Sequence, residues 1–335
     1  MISYIIRRLV WMVFVIFGVM TLTFFIARVI PADPVAAVLP SNAPEEAIEK
    51  ERARMGLDKP IWVQYGRYIN GILHGDFGVS IRTRQPVLND LLRFFPATAE
   101  LALAALIMGT AIGLSLGVLS AVKRGKIPDH AGRLFAIWGL SMPAFFTGLM
   151  LVILFSHILG WLPQLGQMPS YLRRPPHVTG FLILDTMIAG NWALVGTEIK
   201  HLILPAFTLG WLSTAAVVRI TRSSMLEVLP EEYIKTARMK GLRETKVILK
   251  HALKNAMLPT ITVIGLRVAS LLEGAVLTET VFSWPGLGRY ATSSFLAIDF
   301  SAVVGVTIFV AFLYSFFNLI VDLIYGYLNP KIRYS

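Results

Sequence analysis

Residues 219–259 read RITRSSMLEVLPEEYIKTARMKGLRETKVILKHALKNAMLP, with nine Lys/Arg residues between two strongly apolar segments. Pro230 suits the first turn of a helix, where its missing N–H would have no partner in any case. Glu231 and Glu232 follow in that turn, and Lys235, Arg238 and Lys240 come later, the order the helix dipole favours. Gly241 can take the left-handed conformation that ends a helix. These signals predict a helix over 229–242 and a second helical piece from Glu244 to Ala256. Two short helices joined at a glycine would then lie at a membrane surface, presented to something outside it.

Composition supports the membrane. Charged residues make up 15% and apolar residues 55% of the 335-residue chain, against roughly 25% and 45–50% in ordinary globular proteins. Cysteine is absent, which excludes a disulfide framework, a Cys-based zinc site and a thiol nucleophile.

Leu9–Ile30 is long enough to cross a bilayer. It exceeds a signal-peptide apolar region and lacks a small-x-small cleavage site, so a retained span is expected. Residues 31–96 are polar and mixed, as a small packed periplasmic subdomain in the first loop would be. Thr98–Val122 is the second span. Its Gly109, Gly113 and Gly117 recur every four residues and form a face that lets another helix approach closely. Lys123–Arg133 is a short basic loop. Leu134–Leu159 is the third span, with Pro143 as a predicted kink or break. Residues 160–200 form a second outer loop, and Leu202–Ile220, Leu258–Phe282 and Ala302–Tyr325 complete six spans. The domain reading is 1–30 for the N-terminus and first span, 31–96 for the loop, and 97–335 for a five-span core carrying the basic loop 221–257.

Six spans place both termini on one side. The termini, 123–133 and 219–257 together hold seventeen Lys/Arg against thirteen on the other side, counting Arg28 near the outer end of the first span. By the positive-inside rule both termini are expected in the cytoplasm. The formal charge of +11 is therefore a topology signal, and no nucleic-acid partner is expected.

No G-x-x-x-x-G-K-[ST] phosphate loop occurs, so any ATP hydrolysis is expected on a separate subunit. His74, His130, His157, His177, His201 and His251 show no metal-ligand spacing, and no metal site is expected. No nucleophile constellation is apparent, so no catalytic residue is expected. Arg267, Glu273 and Glu279 in the fifth span are candidates for lining a translocation pathway, because ionisable groups at membrane depth are costly. Arg267 and Glu273 lie about 240° apart on a helix and should look to different partners. Glu279 and Asp322 are expected at solvated interfaces near span ends.

The wording EYIKTARMKGL followed by HALKNAMLP resembles the cytoplasmic coupling loop of permease subunits of bacterial ABC importers, and within them the dipeptide/oligopeptide/nickel branch. A Glu-Ala-Ala triplet precedes the glycine in the broad family pattern. Here Lys235, Thr236 and Ala237 stand there, so only Ala237 and Gly241 match, a departure the peptide branch shares. GLDKP and GDFGVS in the first loop, and ETVFSWPGLGRY after the fifth span, are similar to the same branch. The usual basic-Asp-x-Pro-Val run reads AIDFSAV, keeping Asp299 without the proline.

The resemblance implies an all-α integral membrane protein of type I ABC importer permease-like fold in the bacterial inner membrane. It implies two cytoplasmic ATPase subunits carrying ATP and Mg, a homologous second permease completing a heterodimer, and a periplasmic substrate-binding protein. Glu231, Glu232, Tyr233, Lys235, Thr236, Ala237, Arg238, Lys240, Gly241 and Leu242 would couple to the ATPases. Trp284, Pro285, Gly286, Gly288 and Arg289 would form a periplasmic turn contacting the binding protein, with Trp284 at the membrane interface. Dipeptides or short oligopeptides are the expected cargo; nickel, glutathione-like peptides or another small solute are the alternatives. An ion-coupled secondary transporter is a more distant reading, and would favour repeat symmetry between halves that the sequence does not show.

Overall fold

The computed structural model describes residues 2–29, 39, 43–54 and 56–328. Its elements are α1 (Ile2–Val29), α2 (Glu45–Arg54), α3 (Ile61–Leu73), α4 (Val87–Val122), α5 (Ile127–Ser141) and α6 (Ala144–Leu151), which runs on as a π-helix over Val152–Ile158. Then come α7 (Leu182–Ile188), α8 (Trp192–Val228), α9 (Glu232–Met239) and α10 (Glu244–Lys246). A π-helix over Val247–Ala252 leads into α11 (Leu253–Val281), followed by α12 (Leu287–Leu296) and α13 (Phe300–Leu328). Among the described residues the chain is all-helical, apart from one isolated bridge between Val79 and Pro86.

Four helices are long and apolar enough to cross a membrane among the described residues, or five if the bent α5–α6 pair is one span. The pair bends by 114°. Pro143 sits at the break as the N-cap of α6, since a proline has no N–H to continue the preceding helix. The expected kink is therefore a full break. Side chains at 269, 272 and 273 of α11 lie outside the described residues; the helix itself is 29 residues long.

Helix lengths correct several sequence boundaries. The fourth span is longer than Leu202–Ile220, because α8 runs continuously from Trp192 to Val228 with Pro205 inside it. The first ten residues of the basic stretch thus extend a spanning helix. The second span likewise begins at Val87 with Pro96 inside, and α5 takes over the second half of the loop drawn at 123–133.

The chain divides into two compact units, residues 1–97 with 285–335, and residues 98–284. In the first, α1 packs on α13 and α3. Tyr65 and Tyr68, one turn apart on α3, hydrogen-bond Thr21 and Thr23 at 2.7 and 3.0 Å and set their rings against Phe24. Asp322 pairs with Arg8 at 3.0 Å and is only 24% exposed, so the open solvation expected for it does not hold. In the second unit, α8 packs against α11, α5, α6 and α7. The glycine stripe meets α8 as its spacing predicted. A Cβ at Gly109, Gly113 or Gly117 would strike Thr214, Val217 or Thr221 at 2.7–2.9 Å, so only glycine allows that approach.

Candidate functional site: the two ends of the second unit

At the end of α8 the chain turns through Leu229 and Pro230 and enters α9 at Glu232, with Glu231 as N-cap. Pro230 precedes the helix, so the predicted 229–242 span shortens to Glu232–Met239. Its Glu232 still lies in the first turn and Arg238 in the last. Ile234 and Ala237, three residues apart and so on one face, are the two buried residues of α9. They join Ala121, Met225, Val247, Ala252 and Ala256 in an apolar cluster. Burying Ile234 fully is worth about 1.5–3 kcal/mol. Every other side chain of α9 faces outward, including Tyr233, Lys235, Thr236 and Met239.

Gly241 ends α9 at φ +71°. Its N–H donates to the Arg238 carbonyl at 2.9 Å and the Leu242 N–H to the Ala237 carbonyl at 3.4 Å. This is the paired bonding of a Schellman cap, with Leu242 packing on the same apolar cluster as the motif favours. Arg238 then reaches across the turn. Its Nη2 and Nε donate to Glu244 at 2.7 and 3.2 Å. That hydrogen bond holds the Glu244 carboxyl below its usual range and raises the Arg238 guanidinium. Asn255 donates to the Tyr233 hydroxyl at 2.7 Å, and Lys235 to Glu232 at 2.7 Å. The predicted second helix is no separate piece: from Glu244 the backbone stays helical, through the π turn, into α11. A rigid, outward-facing helix is thereby clamped between the ends of two long helices.

Nearby, Asp129 fixes the preceding loop. It accepts from Arg222 Nε and Nη2 at 2.6 and 3.1 Å and from the Gly125 N–H at 2.9 Å, and is 2% exposed. Sequence reading saw only a basic loop here, because the partner stands 93 residues away.

The far ends of α8 and α11 carry a different kind of packing. Glu279 is fully buried and accepts from Thr98 Oγ1 at 2.6 Å. Its expected place at a solvated interface is thus corrected: a buried carboxylate demands a donor, and Thr98 is one. Glu100 accepts from the Ile183 N–H at 3.0 Å and Gln167 Nε2 at 3.3 Å. Glu198, 1% exposed, accepts from Thr186 Oγ1 at 2.7 Å. Asp185 accepts from the N–H groups of Val178, Thr179 and Gly180 and from Thr179 Oγ1 at 2.7–3.3 Å. Burial would raise the Asp185 pKa, but these donors outweigh it and hold the group below its usual value. A single residue, Asp185, so closes the loop that precedes α7.

The family of binding-protein-dependent transport system inner membrane components matches residues 113–334. The N-terminal family of the same membrane components matches residues 1–102. The chain belongs to this family. It is 46% identical to the probable D,D-dipeptide transport system permease protein of Escherichia coli (strain K12), over 98% of this chain and 97% of that one. It is 46% identical to the dipeptide transport system permease protein of the same strain, over the full length of both. Identity to the di/tripeptide transport system permease protein of Pseudomonas aeruginosa (strain UCBPP-PA14) is 43%, again over both full lengths. The chain is thus a multi-pass inner-membrane transport subunit and not an enzyme.

In this permease chain the remaining predicted site residues divide. Arg267 is half-buried on α11 and forms no ion pair among the described residues. The side chain of Glu273 lies outside the described residues. The turn at 284–289 departs from expectation. Trp284 is 1% exposed and Gly286 and Gly288 are buried, leaving Arg289 outward. Trp284 is therefore a core residue and not an interfacial aromatic. The Trp284 N–H donates to the Glu279 carbonyl at 2.8 Å.

In the first unit, Asp299 caps α13 through the Ala302 N–H at 3.2 Å and also accepts from Ser80 Oγ and the Arg82 N–H. Asp90 accepts from Thr83 Oγ1 and the Tyr290 hydroxyl. Asp299 thus holds Ser80 at the end of GDFGVS, and Asp90 holds Thr83 just beyond it. Only their character as polar residues beside a helix start could have signalled it, as Asp at an N-cap does.

Proposed function

We propose that this chain is the membrane-spanning subunit of an ATP-driven importer of dipeptides or short oligopeptides, forming half of its translocation pathway. One observation carries the mechanism: α9 presents its polar face outward while Ile234, Ala237 and the Gly241 cap lock its other face to α8 and α11. A partner that grips α9 moves both long helices together. ATP and Mg belong to two cytoplasmic ATPase subunits receiving α9 and its outward residues Glu232, Tyr233, Lys235, Thr236, Arg238 and Lys240. Contacts that differ between the two states of the ATPases would then bias the spans between inward- and outward-facing arrangements.

Six spans are proposed: α1, α4, the broken α5–α6 pair, α8, α11 and α13. Both termini lie in the cytoplasm, and the segment between α1 and α4 is periplasmic. A homologous second permease supplies the other half of the pathway, and Arg267, Glu273 and Glu279 belong to its lining or its supporting wall. The dipeptide names of the relatives support the cargo. A glutathione transport system permease of Salmonella paratyphi A, 36% identical over both full lengths, supports glutathione-like peptides as the second reading. The deciding experiment is co-purification from the native membrane, reconstitution, and uptake of labelled dipeptide competed by glutathione and by nickel. Recovery of ATPases with competition by dipeptides alone supports the proposal. A chain that purifies alone and transports without ATP overturns it.

A further inference from the structure

Opposite the α9 end, the chain between α6 and α7 forms an arch whose two feet are fastened and whose crown is bare. At the first foot the Gly166 N–H donates to the Phe282 carbonyl at 2.8 Å, and the His201 ring meets the Leu165 and Gly166 carbonyls at 3.1 Å. Gln167 is buried against Glu100. At the second foot Asp185 gathers Val178, Thr179 and Gly180. Between them Tyr171 is 84% and Val178 61% exposed, and Arg173, Arg174 and His177 face outward. Pro169, Pro175 and Pro176 restrict the backbone, so little freedom remains to be lost on binding.

The charge of the crown is one-sided. Residues 160–184 contain Arg173 and Arg174 but no Asp or Glu, and neither arginine has an ion-pair partner among the described residues. Exposed Tyr and Arg on a preorganised support are the residue types that concentrate binding energy in protein interfaces. The turn at 284–289, which the sequence suggested for a binding-protein contact, has Trp284, Gly286 and Gly288 buried. Along its axis α8 separates its two ends by about 55 Å, which puts the arch on the face opposite α9. Anionic headgroup attraction is strongest at the cytoplasmic leaflet, the α9 side in this reading, so a protein surface fits the arch better than lipid.

We propose that the crown of this arch, residues 170–178, docks an acidic face of the binding protein on which the transport system depends. The proposal rests on the importer reading above. The first foot hydrogen-bonds His201 of α8 and Phe282 at the end of α11, and the second is fastened to α7, whose Thr186 donates to Glu198 of α8, so a docked protein holds the far ends of the same two helices that clamp α9.

The test uses the complete importer in vesicles, with ATPase activity titrated by its purified binding protein. The double variant R173E/R174E should raise the half-saturating concentration at least about tenfold, more so at low salt, as expected for charge pairs across an interface. Basal ATPase should stay unchanged, and R173K/R174K should stay near wild type. An unchanged half-saturating concentration for R173E/R174E overturns the proposal. So does an effect that appears with anionic lipid and vanishes in pure phosphatidylcholine vesicles, which would assign the arch to headgroups. If the wild-type complex is not stimulated at all, the importer reading itself fails, a result distinct from either.

Discussion

The two ends of α8 are held by opposite chemistries. At the α9 end, apolar side chains close over Ile234 and Ala237, and the polar contacts are exposed pairs such as Arg238–Glu244. At the arch end, buried carboxylates of Glu279, Glu198 and Asp185 take hydrogen bonds from threonines and backbone N–H groups. The contrast teaches how one helix can be rigid at both ends yet respond differently to change. An apolar anchor weakens in proportion to the volume removed, whereas a buried carboxylate network fails when one donor or acceptor is lost.

The largest effect should come from removing the apolar anchor. Ile234→Ala should destabilise the seating of α9 by about 2–4 kcal/mol, abolishing peptide-stimulated uptake while the protein stays in the membrane. Uptake in vesicles with immunodetection of the subunit measures it; normal uptake would break the view that the anchor transmits force. Next comes Gly241→Val. A Cβ at Gly241 meets nothing within 4 Å, so the cost is purely conformational, about 1–2 kcal/mol for a non-glycine left-handed residue and more for a β-branched one. Uptake should fall severalfold, and Gly241→Asn should recover much of it, since asparagine tolerates that region.

Asp185→Ala probes the other chemistry. Losing the acceptor of three N–H groups should free the arch, visible as faster trypsin cleavage at Arg173 and Arg174, with α9 unaffected in hydrogen exchange. If exchange rises at both ends equally, the two anchors are not separate. The smallest effect is on pH. Glu244 has its pKa lowered by Arg238, so its contribution is present above the unfolded value of about 4.3 and is lost as pH falls through the lowered folded value. Hydrogen exchange at α9 should be flat from neutrality to mild acid and should rise only in stronger acid; at exposures of 41% and 55% the pair is screened and its effect slight.

Local signals were legible wherever neighbours in sequence are neighbours in space. Gly241 takes its left-handed turn, the Gly109–Gly113–Gly117 face packs on another helix, and Pro143 breaks its span. Helix ends were less legible. Nothing in composition marks where α8 stops, because Arg219 and Arg222 continue its helix past the apolar run and Arg222 is neutralised by Asp129. Trp284 and Glu279 were assigned to interfaces because their chemistry suits one; only packing could bury them.

By itself the sequence determined an all-helical membrane chain, the capped basic helix and the family, since hydrophobic run length, charge order and glycine placement act over a few residues. The tertiary structure alone decided which charges are buried and who partners them: Asp129 with Arg222, Thr98 with Glu279, Asp299 with Ser80. Each joins residues at least 93 positions apart, and the low dielectric around a buried carboxylate makes its donor obligatory without leaving any periodic trace in the sequence.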